Sequence, residues 1–260
     1  HRLLRWIWAR TPPPRVLFMT DPQFRYHPAG DLGLREGERL RSVRREPGLT
    51  SVILHHLTGA TLAAYLRSYH RLEVRGRENL PTRPPFIVLS NHASHLDAVI
   101  LAACLRGGAR TSCYPLAAGD VFFESTTRTL FASMCMNALP VRRKGVTRHA
   151  LDDFRARLIA GDAGFVMFPE GQRSRTGELL EFRAGIGRLL AGSNVPAVPC
   201  YIEGAFRAFP AGARVPRPAK IVVTVGRPLH FESTVNDREG WQRVAESLRS
   251  AVLSLNRTPN

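Results

Sequence analysis

The sequence is poor in lysine, in cysteine and in long apolar runs. Only two of its 37 basic residues are lysines, Lys144 and Lys220, so arginine carries nearly all of the positive charge. The four cysteines show neither the paired spacing of a zinc site nor a disulfide framework, which is typical of reduced core residues in a cytosolic protein. No stretch reaches the roughly eighteen consecutive apolar residues of a membrane-spanning helix.

Several sequence motifs are also absent. The chain has no secretory signal, P-loop, dinucleotide-binding glycine fingerprint or cluster of metal ligands, so we expect no metal and no cofactor. It also lacks the Gly-x-Ser-x-Gly elbow of serine hydrolases. The net charge of +16 predicts attraction to an anionic partner. An anionic membrane surface, an acidic carrier protein and nucleic acid all suit this charge, and we predict no nucleic-acid partner because the chain lacks a nucleic-acid-binding motif.

The apolar pattern predicts an α/β fold in which a central mixed sheet is flanked by helices. Strands are predicted at 86–90, 164–168, 197–202 and 220–225. Helices are predicted at 96–106, 147–160, 183–192 and 239–255. We assign residues 72–260 to one catalytic domain and residues 1–71 to an N-terminal helical extension.

Two segments of the predicted extension are apolar enough to matter for location. A helix over residues 1–10 groups four apolar side chains opposite Arg2 and Arg5, a pattern suited to the interface of a membrane. An arm that packs against the catalytic domain is the equal alternative. The segment from Val52 to Leu66 fits an amphipathic or buried helix. The chain begins at His1 without a methionine, which leaves room for an anchoring segment upstream.

The segment from Asn91 to Asp97 holds the first candidate catalytic pair. His92 lies five residues before Asp97, directly after the predicted strand at 86–90. On a continuous helix this offset would turn the two side chains about 140° apart, so they can meet only across a turn. A histidine beside a carboxylate is a suitable general base. The alternative is helix capping, with Ser94 as the N-cap and Asp97 bound to free backbone amides.

A second group of polar residues follows the predicted strand at 164–168. Glu170, Gly171 and Arg173 supply a carboxylate, a flexible backbone position and a guanidinium that can bind phosphate. An ordinary strand-to-loop exit with a solvated arginine is the alternative. The position of both groups at strand ends favours one shared site.

These segments resemble the glycerophospholipid acyltransferases, which esterify lysophosphatidate and related acceptors. The resemblance rests on His92 to Asp97 as the histidine-x4-aspartate motif and on Phe168 to Ser174 as the proline-glutamate-glycine block. Two further blocks occur in the matching order, at 138–143 and at 195–201. Together the four blocks place the resemblance over roughly residues 72–227.

The resemblance implies transfer of a fatty acyl group from a thioester of coenzyme A or acyl carrier protein to a lysophospholipid hydroxyl. It assigns His92 and Asp97 to catalysis, with His92 as the general base. It assigns the acceptor's glycerol phosphate to a substrate-binding set: Arg143, Glu170, Gly171 and Arg173. It also implies a role in phospholipid biosynthesis at the cytoplasmic face of a membrane, with the chain held peripherally or by a segment outside it.

Two residues depart from the usual pattern of this family. Gln172 replaces the usual threonine, and Arg142 replaces an acidic or small residue. These changes leave other acceptors open, namely another lysolipid, glycerol phosphate, or an amino or sugar lipid. A basic module that binds membrane or nucleic acid without catalysis is a further alternative, but it does not explain a histidine, an aspartate and a glutamate at strand ends.

Overall fold

The computed structural model describes residues 42, 49–118, 125, 129–130, 132–133, 136–141 and 148–256. Its helices, in chain order, are α1 (Leu49–Tyr69), α2 (Asp97–Cys104), α3 (Gly107–Thr111), α4 (Arg148–Ala160), α5 (Gly185–Leu190), α6 (Ala205–Ala208) and α7 (Arg238–Asn256). A 3-10 helix occupies Arg77–Asn79.

Within these described ranges the sheet has seven strands: β1 (Glu73–Arg75), β2 (Phe86–Ser90), β3 (Cys113–Ala118), β4 (Leu139–Val141), β5 (Gly164–Met167), β6 (Ala197–Glu203) and β7 (Val222–Val225). Their order across the sheet is β1-β7-β6-β2-β5-β3-β4. The β6–β7 pair is antiparallel and the other neighbouring pairs are parallel, so the sheet is mixed.

Strand β2 lies at the centre of the sheet and is buried along its whole length. Its residues alternate between two apolar cores, because successive side chains of a strand point to opposite faces. Ile87 and Leu89 contribute to the core that includes residues of α4, α5 and α7. Phe86 and Val88 contribute to the opposite core, which includes residues of α1, α2 and α3. The sheet is therefore covered by helices on both faces.

Helices α5 and α7 pack against each other on the first face. The buried positions of α7, Val244, Ala245, Leu248 and Val252, recur at the spacing of one helical face. A Cβ atom at Gly187 of α5 would lie 2.1 Å from the carbonyl oxygen of Trp241, so this contact requires glycine. The α5–α7 contact fixes the segment that leads into α5 from the functional site described below.

The predicted fold class is confirmed, and each of the four predicted strands and four predicted helices is present with its ends within two residues of the prediction. The predicted helix around 52–66 is part of α1, which buries Ala63 and Leu66 but exposes Ile53, Leu54 and Leu57. No helix in the described ranges combines the length and the apolar character needed to cross a membrane. The apolar segment at 1–10 lies outside the described residues.

Candidate active site

The two sequence groups meet at one edge of the sheet. Strands β2 and β5 are parallel neighbours, with Leu89 opposite Met167, so their carboxyl ends open side by side. The histidine turn, residues 91–96, follows β2, and the glutamate loop, residues 168–184, follows β5. Ligand sites of open α/β sheets lie at such strand ends.

The side chains of His92 and Asp97 are in direct contact across the histidine turn. The Nδ1 atom of His92 lies 2.9 Å from Oδ2 of Asp97. Asp97 is only 1% exposed, whereas the His92 side chain remains partly accessible. Because Nδ1 donates its hydrogen to the carboxylate, Nε2 carries the free lone pair. This arrangement leaves Nε2 available to accept a proton from a substrate.

Asp97 also organises the backbone of the turn. The same Oδ2 atom accepts hydrogen bonds from the amides of Ala93 and Ser94, each at 2.8 Å. Helix α2 begins at Asp97, so Ser94 is not its N-cap residue. Instead, the Ser94 hydroxyl donates to the carbonyl of Phe209 and accepts the amide hydrogen of Leu96. Asp97 therefore binds the His92 ring and the free backbone amides of the turn, as each interpretation expected of it, whereas the prediction of Ser94 as the N-cap is wrong.

The imidazole plane is held by an aromatic neighbour. The rings of His92 and Phe168 stack nearly in parallel, with centroids 4.1 Å apart and an interplanar angle of 16°. The backbone of His92 is also fixed on both sides, since its amide donates to Glu170 and its carbonyl accepts the amide hydrogen of Ser174 at 2.7 Å. The glutamate loop thus holds both the ring and the backbone of the histidine.

Both carboxylate oxygens of Glu170 have backbone partners. Oε1 accepts the amide hydrogen of His92 at 2.7 Å, and Oε2 accepts that of Leu180 at 3.1 Å. Glu170 is 3% exposed, and this burial raises its pKa to about 7 against the lowering effect of the two amides. Glu170 therefore ties the histidine turn to the far end of its own loop.

Gly171 has a left-handed backbone conformation, with φ of +71°. Its amide donates to the carbonyl of Phe168, which closes a tight turn. The space of the missing side chain is filled by Arg183, whose Nε atom would lie 2.6 Å from a Cβ at this position. Gly171 is thus needed both for the turn and for the passage of the Arg183 side chain.

Arg173 reaches across to the histidine turn. Its Nη1 atom lies 2.6 and 2.7 Å from the two ring nitrogens of His95. The Nε2 atom of His95 is also 3.2 Å from the carbonyl oxygen of Ala211, and its ring packs against Phe209. Contact with His95 therefore holds the Arg173 guanidinium beside the histidine turn.

The structure brings five of the six predicted site residues to one sheet edge: His92, Asp97, Glu170, Gly171 and Arg173. Arg143 and its neighbour Arg142 lie outside the described residues. Sequence reasoning gave no role to Phe168 or Asn91. Asn91 joins β2 to β6, since its side chain exchanges two hydrogen bonds with the backbone of Ile202. Their places beside motif residues were the available signal.

Among the described residues, no group of three or more histidine, cysteine or acidic side chains is arranged to hold a metal ion. Cys104, Cys113 and Cys200 are buried free thiols, and burial raises the pKa of Cys104 to about 12. Cys135 lies outside the described residues. The described site presents an imidazole paired with a carboxylate, and a guanidinium beside them on the histidine turn.

Comparison with known proteins identifies the family of this chain. The family model described as "Acyltransferase" matches residues 71–203, just over half of the chain. Human 1-acyl-sn-glycerol-3-phosphate acyltransferase alpha is 29% identical over 129 residues, covering 50% of this chain and 44% of the human protein. The mouse protein of the same name is 26% identical over 219 residues, covering 84% and 72% respectively. The chain thus matches less than half of the human protein's length.

A solved structure shares the fold. The crystal structure of the 1-acyl-sn-glycerophosphate (LPA) acyltransferase PlsC from Thermotoga maritima aligns with a TM-score of 0.60 and 22% identity, covering 80% of this chain and 81% of that one. At this identity the likeness concerns the fold alone. The family match spans the histidine turn, the glutamate loop and β6, and on that basis the chain belongs to the acyltransferase family that includes the 1-acyl-sn-glycerol-3-phosphate acyltransferases.

Proposed function

We propose that this protein transfers a fatty acyl group from an acyl thioester to the free hydroxyl of lysophosphatidate. The observation that carries the proposal is the His92–Asp97 pair, which opens at the sheet edge beside Arg173. A base next to a cation suits an acceptor that has both a hydroxyl and a phosphate. The names of the family's curated relatives support the same acceptor.

In this mechanism His92 is the general base and no acyl-enzyme forms. The Nε2 atom of His92 takes the proton of the acceptor hydroxyl while the hydroxyl oxygen attacks the thioester carbonyl carbon. The carbon–sulfur bond then breaks, and the departing thiolate receives the proton from the His92 imidazolium. Asp97 holds the ring in the required tautomer and stabilises the imidazolium.

The acceptor phosphate is assigned to arginine side chains. A guanidinium offers paired N–H donors to phosphate oxygens, which suits Arg173 in its position beside His95. Arg143 remains the second member of this predicted set. Gly171 shapes the turn between Glu170 and Arg173, and both oxygens of Glu170 are engaged by backbone amides. We therefore place Glu170 behind the acceptor, as the residue that holds the His92 backbone in position.

The acyl donor is a thioester of coenzyme A or acyl carrier protein. A thiolate is a good leaving group, so the His92 imidazolium is a sufficient acid and no stronger one is needed. The thioester is a co-substrate, and the reaction as written needs no cofactor. A different phosphorylated or unphosphorylated lipid acceptor is the second candidate. It is favoured by Gln172, whose exposed amide replaces the family's usual threonine between Gly171 and Arg173.

We further propose that the protein works at the cytoplasmic face of a membrane, where its lipid acceptor resides. Helix α1 exposes Ile53, Leu54 and Leu57, of which Leu57 is 62% exposed. Exposed neighbouring apolar side chains together with the net charge of +16 suit contact with an anionic lipid surface. A peripheral association, or an anchor in a segment outside this chain, meets this requirement.

The experiment is acyl transfer by the purified chain to a panel of lysolipids. Each acceptor is supplied with the coenzyme A thioester and, separately, with the carrier-protein thioester, and the acylated product is identified by mass. We expect phosphatidate from lysophosphatidate, with at least one of the two donors. Faster acylation of an unphosphorylated lysolipid would show that lysophosphatidate is not the preferred acceptor. The absence of any acylated product would reject the proposed acyltransferase function.

A further inference from the structure

One exposed loop is connected directly to the histidine turn. The 209–218 loop lies between α6 and β7. The carbonyl of Phe209 accepts hydrogen bonds from the Ser94 hydroxyl at 2.9 Å and from the His95 amide at 3.1 Å. The carbonyl of Ala211 lies 3.2 Å from the ring of His95. The first part of the loop therefore borders the residue that positions Arg173.

The rest of the loop is held in a compact shape with an exposed tip. Its two ends approach where the amide of Arg217 donates to the carbonyl of Ala208 at 2.7 Å, and the amide of Ala213 donates to Pro210 at 3.0 Å. The carbonyl of Pro216 accepts a hydrogen bond from the Tyr69 hydroxyl at the end of α1. The loop thus bridges α1 and the histidine turn, and its tip faces solvent.

The exposed tip combines an apolar side chain with two cations. Val215 is 68% exposed and lies between Arg214 and Arg217, which are both exposed. Within the described part of the chain, neither guanidinium has a hydrogen-bond or ion-pair partner. Residues 204–231 contain five arginine and lysine residues and no acidic residue. This region is therefore a continuous basic stretch of sequence.

Exposure of a valine does not by itself indicate a docking surface, and a second exposed valine provides a comparison. Val235 is exposed to a similar degree, 62%, but it lies between Glu232 and Asp237. Isolated apolar side chains of this kind are common on protein surfaces. Val215 differs because cations flank it and because hydrogen bonds join its loop to the turn that carries His92.

We propose that the 209–218 loop is a docking surface for anionic phospholipid bilayers. Val215 enters the interfacial region of the bilayer, and Arg214 and Arg217 bind lipid phosphates beside it. This combination of apolar insertion and positive charge is the pattern of interfacial membrane contacts. The inference rests on the proposed function, since contact here would place the acceptor site against the surface that holds a lysophospholipid.

The test measures vesicle binding without any acyl donor, so it can be interpreted even if the purified chain acylates no lysolipid. The full chain and its variants are sedimented with vesicles of phosphatidylglycerol and phosphatidylcholine, and with vesicles of phosphatidylcholine alone. The arginine variant is R214Q combined with R217Q. Its control is R238Q combined with R243Q, which removes the same charge from exposed positions of α7.

We expect the loop pair to weaken binding to anionic vesicles by about 30-fold, since each basic residue at an anionic surface contributes about one factor of five. The control pair should weaken it by less than about threefold, because charges remote from the surface are screened. V215D should weaken binding by at least about tenfold, whereas V235D should have little effect. Melting temperatures verify that each variant is folded.

Two results would overturn the proposal. Equal weakening by the loop pair and the control pair would mean that binding depends on net charge and not on this loop. Unchanged vesicle binding by the loop variants would also overturn the proposal, and a loss of activity only toward the carrier-protein thioester would then mean that the loop binds an acidic protein. The ratio of turnover on vesicle-borne to soluble lysophosphatidate gives a second measure, and it should fall in the loop variants.

Discussion

Replacement of Asp97 by Asn tests how the catalytic histidine is held. All three hydrogen bonds to Asp97 converge on Oδ2, from the His92 ring and from the amides of Ala93 and Ser94. If the asparagine placed its amide NH2 at the Oδ2 position, its two N–H donors would face the three N–H donors already there. Its carbonyl oxygen therefore takes that place, and the orientation and tautomer of His92 are preserved. Asp97→Asn thus removes the negative charge and little else.

The magnitude follows from that charge. A carboxylate and an imidazolium about 4 Å apart interact by about 4 kcal/mol at an effective dielectric constant of about 20, which sets an upper limit of about 1,000-fold in turnover. The lower limit comes from exchanging a charge-assisted hydrogen bond for a neutral one, about 1.4 kcal/mol or about tenfold. We therefore expect a loss between about 10-fold and about 1,000-fold.

The assay is the initial rate of thiol release with lysophosphatidate as acceptor. Asp97→Ala provides the comparison, because it also leaves the two turn amides without their acceptor and should be less stable as well as less active. Two results would contradict this expectation. Turnover of Asp97→Asn equal to that of the parent would show that the charge has no role. A loss of about 10,000-fold or more, the size expected when the tautomer is wrong, would show that the turn amides do not fix the asparagine.

Three further predictions concern the glutamate loop. Arg173→Ala should raise KM for lysophosphatidate about 10- to 100-fold but leave KM for the thioester nearly unchanged. The control Arg175→Ala, at an exposed position two residues away, should change neither constant. Equal shifts in both constants would contradict a phosphate-binding role for Arg173. Gly171→Ala should lower the free energy of unfolding by more than the roughly 1–2 kcal/mol that a left-handed alanine costs, because the Arg183 side chain must also move. Gly161→Ala supplies the reference cost, since Gly161 has a similar positive φ and a Cβ there would have no neighbour within 4 Å. Equal losses of unfolding free energy in chemical denaturation would exclude the Arg183 contact. Burial raises the pKa of Glu170 in the folded state to about 7, so the parent should lose up to about 3 kcal/mol of unfolding free energy as pH rises from about 4.5 to about 7. Stability is greatest at low pH, while this carboxyl is protonated in both the folded and the unfolded state, and Glu170→Gln should not show the loss. The same dependence of unfolding free energy on pH in both proteins would contradict the raised pKa.

The sequence predicted those features that depend on residues close together in the chain. The apolar run at 86–90 and the five-residue offset from His92 to Asp97 together determined that the pair could meet only across a turn, as observed. The strands β1, β3 and β4 were not predicted. Two of them, β1 and β4, have only three residues each, and such short segments carry too little periodicity to be recognised.

Other features depend on contacts between distant segments, and sequence spacing does not report these. The family resemblance assigned Glu170 to the substrate-binding set, and that role stays a prediction. In the structure its partners are the amides of His92 and Leu180, which no local pattern indicates. The contact of His95 with Ala211, more than one hundred residues away, belongs to the same class. Long-range backbone partners were thus the main part of the site that the sequence could not supply.

The most direct test of the account is acyl transfer by His92→Ala. Phosphatidate formation from lysophosphatidate and an acyl thioester is compared in the parent, in this variant and in the control His230→Ala. His230 is an exposed histidine that pairs with Asn194 away from the site. We predict that His92→Ala keeps the parent's melting temperature to within a few degrees but loses at least about 100-fold in turnover, while His230→Ala stays close to the parent. Substantial turnover by a folded His92→Ala protein would contradict the general-base mechanism.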